Sequence, residues 1–554
     1  YTMEESPEFA TYAGWPGHDH RWTDFSLAAV ERRNRELEIP ERVLDTIDRA
    51  ALPAEDQLHF DLFRRGIREG LEGRRFKGEY LPLTQMQGPQ QDVVRFLMLA
   101  ASGATQAGAF ENMLARLEAV PVLLEQVTEL MRRGLDTGIT PPRITLRDVP
   151  AQIESQAPAH PAQSPLLRAF DRFPEGMPEA EQDRLRRQAA RLYEAKAAPA
   201  FRALHRFFVE EYLPGARESI ALREVPDGEA WYAFLVRQST TTTLTPGEIH
   251  AIGLREVARI RAAMDEVVAA SGFQGGYAQF VEFLRHDPRF FFESGQDLLA
   301  AYRDITKRAD PELVRLFGRL PRLPYGVRPV PAHAEKSQTT AYYEPGSPEA
   351  GRPGYFYANT YDLHARPRWE MEPLALHEAV PGHHLQIALA QELPAMPEFR
   401  KHGFYTAYVE GWGLYAESLG AEMGFYQDPY SRFGQLTYEV WRAIRLVVDT
   451  GIHALGWSRQ QAIDYFTANA GKAEHDIVVE VDRYIVWPAQ ALAYKIGELK
   501  LKELRAACRQ ALGAGFDLRA FHDEVLGQGA LPLDVLEDRI RGWWEARAGV
   551  QSPA

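Results

Sequence analysis

His377 and Glu378 stand side by side in the run Leu374-Ala375-Leu376-His377-Glu378-Ala379-Val380-Pro381-Gly382-His383-His384-Leu385-Gln386. A hydrolytic zinc site needs neutral imidazoles as ligands and a carboxylate beside the activated water. The usual helical arrangement places two histidines at i and i+4, with a glutamate directly after the first. Here the next histidine, His383, is six positions on. On an unbroken helix that lands about 120° away from the face of His377. Pro381-Gly382 lies between them, and proline interrupts helical hydrogen bonding while glycine adds freedom. A two-residue bulge there would return His383 to the face of His377. His384, at i+7, is on the right face of an unbroken helix but about 10 Å along it. The spacing favours His383 as a ligand and keeps His384 as the alternative. A helix that simply ends near Val380, with surface histidines beyond, is the competing reading.

A third ligand has to come from elsewhere. The segment from Phe404 to Glu417 is aromatic and mostly apolar, yet carries Glu410 and Glu417 seven residues apart on one helical face. A carboxylate in such a segment costs free energy unless it is paired or bound to metal. Glu410 is the better ligand candidate, and Glu417 a candidate acceptor for a ligand imidazole. Pairing of both with an arginine would satisfy them equally well.

The elements that must position these groups read as helices. Apolar residues recur at three- and four-residue spacing over 91–135 and 176–213. Ser26 opens one helix. Thr245-Pro246-Gly247-Glu248 combines an N-cap, a proline at the first helical position and a glutamate three after the cap, predicting a helix to about Ala270. Ser458-Arg459-Gln460-Gln461 is a similar start. The stretch 323–360 differs: prolines and glycines are dense, and Thr339–Tyr343 and Tyr355–Thr360 flank the loop Glu344–Gly354, which predicts a hairpin or small sheet. The irregular stretch near 140–165 reads as a candidate linker.

With 554 residues, 45% of them hydrophobic, the chain can bury a large core without staples. One cysteine, Cys508, excludes an intrachain disulfide and a Cys-rich zinc site. A formal charge of −14 argues against general nucleic-acid binding. No apolar run approaches the roughly 18–20 residues of a membrane span. The expectation is therefore a soluble protein; the sequence begins at Tyr1 and not Met, so it is expected to be periplasmic or secreted if an export signal has been removed and otherwise cytoplasmic.

Taken together, the His377–Gln386 run and Glu410-Gly411-Trp412…Tyr415-Ala416-Glu417 resemble the bacterial family catalogued as domain of unknown function 885. Gly354–Thr360, Asp449–Trp457 and Glu480–Gln490 match it too, so the similarity covers nearly the whole chain. The family is grouped with the gluzincin metallopeptidases. The resemblance implies a mainly α-helical fold of two halves around a deep cleft, with a small sheet beside the zinc helix. It implies a single metallopeptidase-like unit over 1–554: a helical first half, 1–322, forming part of the cleft wall, and a zinc-site half, 323–554, with the sheet in 323–360. It also implies Zn²⁺ on His377, His383 and Glu410, with Glu378 as general base. The departure from the common gluzincin spacing is the Pro381-Gly382 insertion.

Arg483-Tyr484 resembles an Arg-Tyr pair in the helical dipeptidyl carboxypeptidases of the angiotensin-converting-enzyme type, which implies Tyr484 as oxyanion donor. A packed tyrosine is the plain alternative. Arg445, Asp449 and His453 share one helical face and read either as substrate-positioning groups or as an ion-paired helix. In gluzincins an exposed edge strand pairs with the substrate backbone. Tyr355–Thr360 is the candidate here, with Asn359 adding a side-chain contact. His250, Gly253, Glu256 and Arg259 read as a far cleft wall or a solvated face. The expected activity is hydrolysis of short peptides, with Arg445, His453 or Lys495 gripping a free C-terminus and dipeptides released from that end. The rivals are a zinc hydrolase of another amide or amino-acid conjugate and a non-catalytic helical binding protein. The retained Glu378 speaks against the last.

Overall fold

Local start signals account for the first level of structure. Ser26 accepts a hydrogen bond from the Ala29 N–H at the start of Leu27–Glu36. Thr245 and Ser458 form capping boxes with Glu248 and Gln461, opening Pro246–Ala270 and Arg459–Asn469. The computed structural model describes residues 1–331, 335, 339–348, 351–394, 396–401 and 403–551. They are mainly helical, as the sequence implies, and they divide into two units, Tyr1–Trp231 and Tyr232–Ala554. The helices between 232 and 322, read from the sequence with the first half, belong to the second unit.

In the first unit the long helix Ala107–Thr137 supplies Phe110, Leu117, Leu124 and Met131 to the core, a seven-residue recurrence that keeps one face inward. The chain from Glu179 to Gly215 packs Phe201, Leu204, Phe208 and Tyr212 into the same core through two π-helical turns. The stretch near 140–165 is not a linker. Its short helical turns bury Leu146, Val149 and Ile153 in that core, with Leu166 just beyond. The prolines there shape turns inside a folded unit.

The second unit contains a three-stranded sheet and the helices that carry the site. Strands β1 (Tyr325–Pro329), β2 (Ala341–Glu344) and β3 (Gly354–Ala358) lie in the order β1-β3-β2. β3 runs parallel to β1, with Tyr325 opposite Gly354, and antiparallel to β2, with Tyr343 opposite Phe356. β2 and β3 are the expected pair. Residues 349–350 of the loop between them lie outside the described residues. The expectation that β3 is an exposed edge is overturned: β1 pairs with its other side, making it the central strand. Phe356 points inward and is buried against Tyr302 of helix Gly295–Ala309, ring centroids 4.9 Å apart.

The longest helix of this unit to bear on the site is Pro429–His453, started by Asp428, whose side chain accepts from the Tyr430 and Ser431 N–H groups. It packs closely on Pro246–Ala270 at Gly253, where a Cβ would stand 2.7 Å from Leu446 Cβ. His250, Gly253 and Glu256 therefore form neither a cleft wall nor a solvated face, while Arg259 is exposed as the solvated-face reading has it. They face other helices: His250 bonds Thr450, Glu256 pairs with Lys495, and Arg259 pairs with Glu439. No helix among the described residues is long and apolar enough to cross a membrane.

Candidate metal centre

His377 is the penultimate residue of one helix, Met371–Glu378, and His383 begins the next, His383–Gln391. The expected two-residue bulge within a continuous helix is instead a four-residue break, Ala379–Gly382. The break has specific supports. A Cβ on Gly382 would lie 1.9 Å from the His377 carbonyl oxygen, so no other residue fits beside that helix end. The buried indole of Trp412 donates from Nε1 to the Pro381 carbonyl at 2.8 Å. The outcome returns His383 to His377, with ring centroids 4.7 Å apart and nearly perpendicular.

Glu410 completes the group from helix Thr406–Leu419. Its Oε2 is 3.6 Å from His377 Nε2 and 3.5 Å from His383 Nε2. One ligand atom from each of the three residues lies within 4.8 Å of the others. These separations are too long for good hydrogen bonds. They match the edge of a coordination tetrahedron, because ligand atoms bound at about 2.0–2.2 Å stand about 3.3–3.6 Å apart. The donor set, two imidazoles and a carboxylate, suits zinc.

The surroundings hold the imidazoles in place. His377 Nδ1 donates to Glu417 Oε1 at 2.8 Å, and Arg442 Nη2 reaches the same oxygen at 3.3 Å. Glu417 is fully buried. Burial opposes a charge on His377, but Glu410, Glu417 and Glu378 outweigh it and push the imidazole up to about 10. Burial likewise resists charge on Glu410, yet the two imidazoles hold it well below the usual carboxylate range. Glu378, half-buried beside His377, makes no hydrogen bond to a described residue. His384 faces away. Its Nδ1 bonds the Tyr343 hydroxyl at 2.9 Å and its ring packs 4.4 Å from Tyr325, so it belongs to the sheet side. Burial pushes it down to about 4.

Two glycines of the Glu410 helix, in the run Glu410-Gly411-Trp412-Gly413, give the close approaches that the site needs. A Cβ on Gly413 would meet His377 Cε1 at 2.6 Å, so Gly413 makes room for the ring. Gly411 crosses Gly497 of helix Ala493–Leu512, where a Cβ would stand 2.5 Å from the facing Cα.

The remaining candidates divide. Arg445, Asp449 and His453 clamp the end of helix Glu474–Val486. Arg445 Nη2 pairs with Glu480 at 3.0 Å, Asp449 accepts from the Ala489 N–H and the Tyr232 hydroxyl, and His453 Nε2 bonds the Tyr484 carbonyl at 2.9 Å. Burial pushes Asp449 up to about 7. Tyr484 is fully buried; its hydroxyl donates to Glu480 at 2.5 Å and accepts from Arg445 and Trp441. Arg483 bonds Gln490 and Glu480. Lys495 is buried among Glu256, Glu439 and Glu498, so it is not available to a substrate carboxylate. Asn359 is buried. Its amide donates to the Glu335 and Thr339 carbonyls and accepts from the Tyr361 N–H, which fixes the end of β3 and corrects its reading as a substrate contact.

Comparison with known proteins agrees on the family. Residues 7–540 match the model of the family described as bacterial protein of unknown function (DUF885), and the chain belongs to that family. No curated protein matches it. A crystal structure of a "putative lipoprotein" from Colwellia psychrerythraea superposes with a TM-score of 0.93 at 27% identity, covering 98% of this chain and 97% of the other. A "putative lipoprotein of unknown function" from Shewanella oneidensis shares the fold at a TM-score of 0.66 and 17% identity, covering 97% of each. A Pyrococcus furiosus carboxypeptidase reaches a TM-score of 0.31 at 11% identity over 93% of this chain and 97% of that one, too low to bear on fold or chemistry.

Proposed function

We propose that this DUF885 protein is a zinc-dependent peptidase acting on short peptides. The observation that carries the reading is the convergence of His377, His383 and Glu410 at tetrahedral-edge separations, with the unbonded Glu378 next to them. Zinc bound by these three residues would polarise the scissile carbonyl and the attacking water. Glu378 takes the proton from that water and hands it to the leaving amine nitrogen. Glu417, steadied by Arg442, keeps the Nδ1 proton of His377 in place, so that Nε2 offers its lone pair to the metal.

Release of dipeptides from the C-terminal end is the form of the hypothesis we favour. Arg445 Nη1 and Arg483 Nε have no hydrogen-bond partner among the described residues, and we take these two arginines as the grip on a terminal carboxylate. His453 and Lys495 drop out, because each is engaged within the fold. An exported location is part of the reading, supported by the description of the Colwellia psychrerythraea relative as a "putative lipoprotein".

The test is metal analysis together with cleavage of a mixed peptide library. We expect about one zinc per chain, and Glu378→Gln to keep the metal while losing about 10²–10⁴-fold in turnover, since the amide cannot accept the water proton. Near-normal turnover in that variant would sink the mechanism. If His383→Ala kept full zinc while His384→Ala lost it, the ligand assignment would fail. Equal rates on free and C-terminally amidated forms of one peptide would remove the C-terminal form alone.

A further inference from the structure

One carboxylate serves two arginines in the second unit. Glu480 Oε2 accepts from Arg445 Nη2 at 3.0 Å and from the Tyr484 hydroxyl at 2.5 Å, while its Oε1 stands 3.4 Å from Arg483 Nη1. No other carboxylate among the described residues pairs with either guanidinium. Their remaining contacts are neutral. Arg445 Nε donates to the Tyr484 hydroxyl, and its guanidinium lies 4.4 Å from the Tyr494 ring centroid and 5.3 Å from that of Trp441. Arg483 Nη2 donates to Gln490 Oε1 at 2.8 Å. The other cations that reach Trp441, Arg442 and Lys472, have carboxylates of their own in Glu417 and Glu370.

Two guanidinium groups against one carboxylate leave a surplus of one positive charge. The Arg445 side chain is only 5% exposed, so water does little to offset it. The surplus coincides with two unsatisfied donors, Arg445 Nη1 and Arg483 Nε, one on each arginine. A buried donor without a partner costs about 1–3 kcal/mol, and more when it is charged. The way in runs past Trp487, which is 47% exposed and lies 5.7 Å from the Arg483 guanidinium. The group therefore has room for one negative charge that can accept two N–H bonds, which describes a single carboxylate.

We propose that Glu480 sets the charge selectivity of the Arg445–Arg483 grip, so that it takes one monoanionic carboxylate: the free C-terminus of a peptide whose last side chain carries no negative charge. The inference rests on the reading of these two arginines as the grip on a terminal carboxylate. The two unpaired N–H groups donate to the incoming carboxylate, and its one negative charge completes the balance. A second carboxylate on the last residue would find no cation left and would meet the charge of Glu480, and like charges set side by side cost affinity. Glu480 is a positioning residue: it holds both guanidinium groups and neutralises one of the two charges.

The experiment measures calorimetric affinities of the zinc-loaded protein for three dipeptides: alanyl-glutamine, its C-terminal amide, and alanyl-glutamate, which has the shape of the first with one more negative charge. We expect the wild type to bind alanyl-glutamine about tenfold or more tighter than either of the others, the scale of one charge-assisted hydrogen bond. In Glu480→Gln the surplus rises to two, so the order of the two acids should reverse while the amide stays weak. Loss of a packing residue alone would weaken all three together and would not reverse that order. Equal wild-type affinity for alanyl-glutamine and alanyl-glutamate, or a Glu480→Gln variant that keeps the wild-type order, overturns the selectivity and leaves the grip standing. If Glu480→Gln fails to fold, the wild-type comparison of the two acids decides. Equal wild-type affinity for alanyl-glutamine and its amide, or no binding of any of the three, overturns the grip and the selectivity with it.

Discussion

Around Lys495, three carboxylates (Glu256, Glu439 and Glu498) meet three cations, Lys495 itself, Arg259 and Lys502. Burial resists charge on Glu439, yet these cations hold it well below the usual range. Around His377, three carboxylates (Glu378, Glu410 and Glu417) meet a single guanidinium, Arg442. With neutral imidazoles that group is two positive charges short, which is what a divalent ion brings. The same three carboxylates push the His377 imidazole up against the effect of burial. Both groups lie in the same unit, and they differ in whether the chain supplies its own counter-charge. A balanced buried network is a structural device, whereas an unbalanced one is built to receive something.

The contrast breaks first at Lys495. Lys495→Met would leave the buried Glu439 and Glu498 and the half-buried Glu256 without their central cation, and breaking such a network costs about 3–5 kcal/mol. Denaturant melts should show that loss with or without zinc. A wild-type midpoint would mean the network is not structural.

Next comes the metal itself. Zinc held at a hundred times its dissociation constant stabilises by about 2.7 kcal/mol. We expect thermal melts with zinc and with a chelator to separate for the wild type and to coincide for His377→Ala, which should still fold. If chelation leaves the wild-type melt unmoved, the charge deficit is not filled by a metal.

A smaller effect is expected at Gly413. An alanine methyl there would meet the His377 ring, so Gly413→Ala should weaken zinc by about 10–100-fold, the range seen when the supports of a metal ligand are disturbed. Zinc titration with a competing chelator measures it. Unchanged affinity would show that the ring has room to shift.

What the sequence makes legible follows the same division. The capping boxes at Thr245 and Ser458 are readable because all their atoms lie within one turn. The nearness of His377 to His383 is readable from spacing plus the helix-breaking power of Pro381-Gly382, although the four-residue break is not, because it depends on Trp412 reaching Pro381 from another helix. β3 reads as an edge because its pairing with β1 spans some thirty residues and carries no turn signal. Asn359 reads as a substrate contact because its partners, Glu335 and Thr339, are set by that same tertiary arrangement. Arg442 carries no motif; only packing brings it to the Glu417 carboxylate.

The smallest effect tests whether the two charge groups are independent. Helix Pro246–Ala270 delivers Glu256 and Arg259 to Lys495, and its start is held by Thr245, whose hydroxyl and N–H both donate to Glu248 while its oxygen accepts the Glu248 N–H. Thr245→Ala removes the cap at a cost of about 1 kcal/mol. The same helix packs on Pro429–His453, which carries Arg442 toward Glu417 and His377. If the charge groups are separate devices, the loss of the cap lowers the melting midpoint slightly and leaves the zinc dissociation constant as it was. The packing at Gly253 is tight and lies two turns from the cap, so end fraying should be absorbed before it reaches Arg442. A change of more than about tenfold in zinc affinity, equivalent to about 1.4 kcal/mol, would exceed the cap's own contribution and show that Pro429–His453 transmits strain from one group to the other.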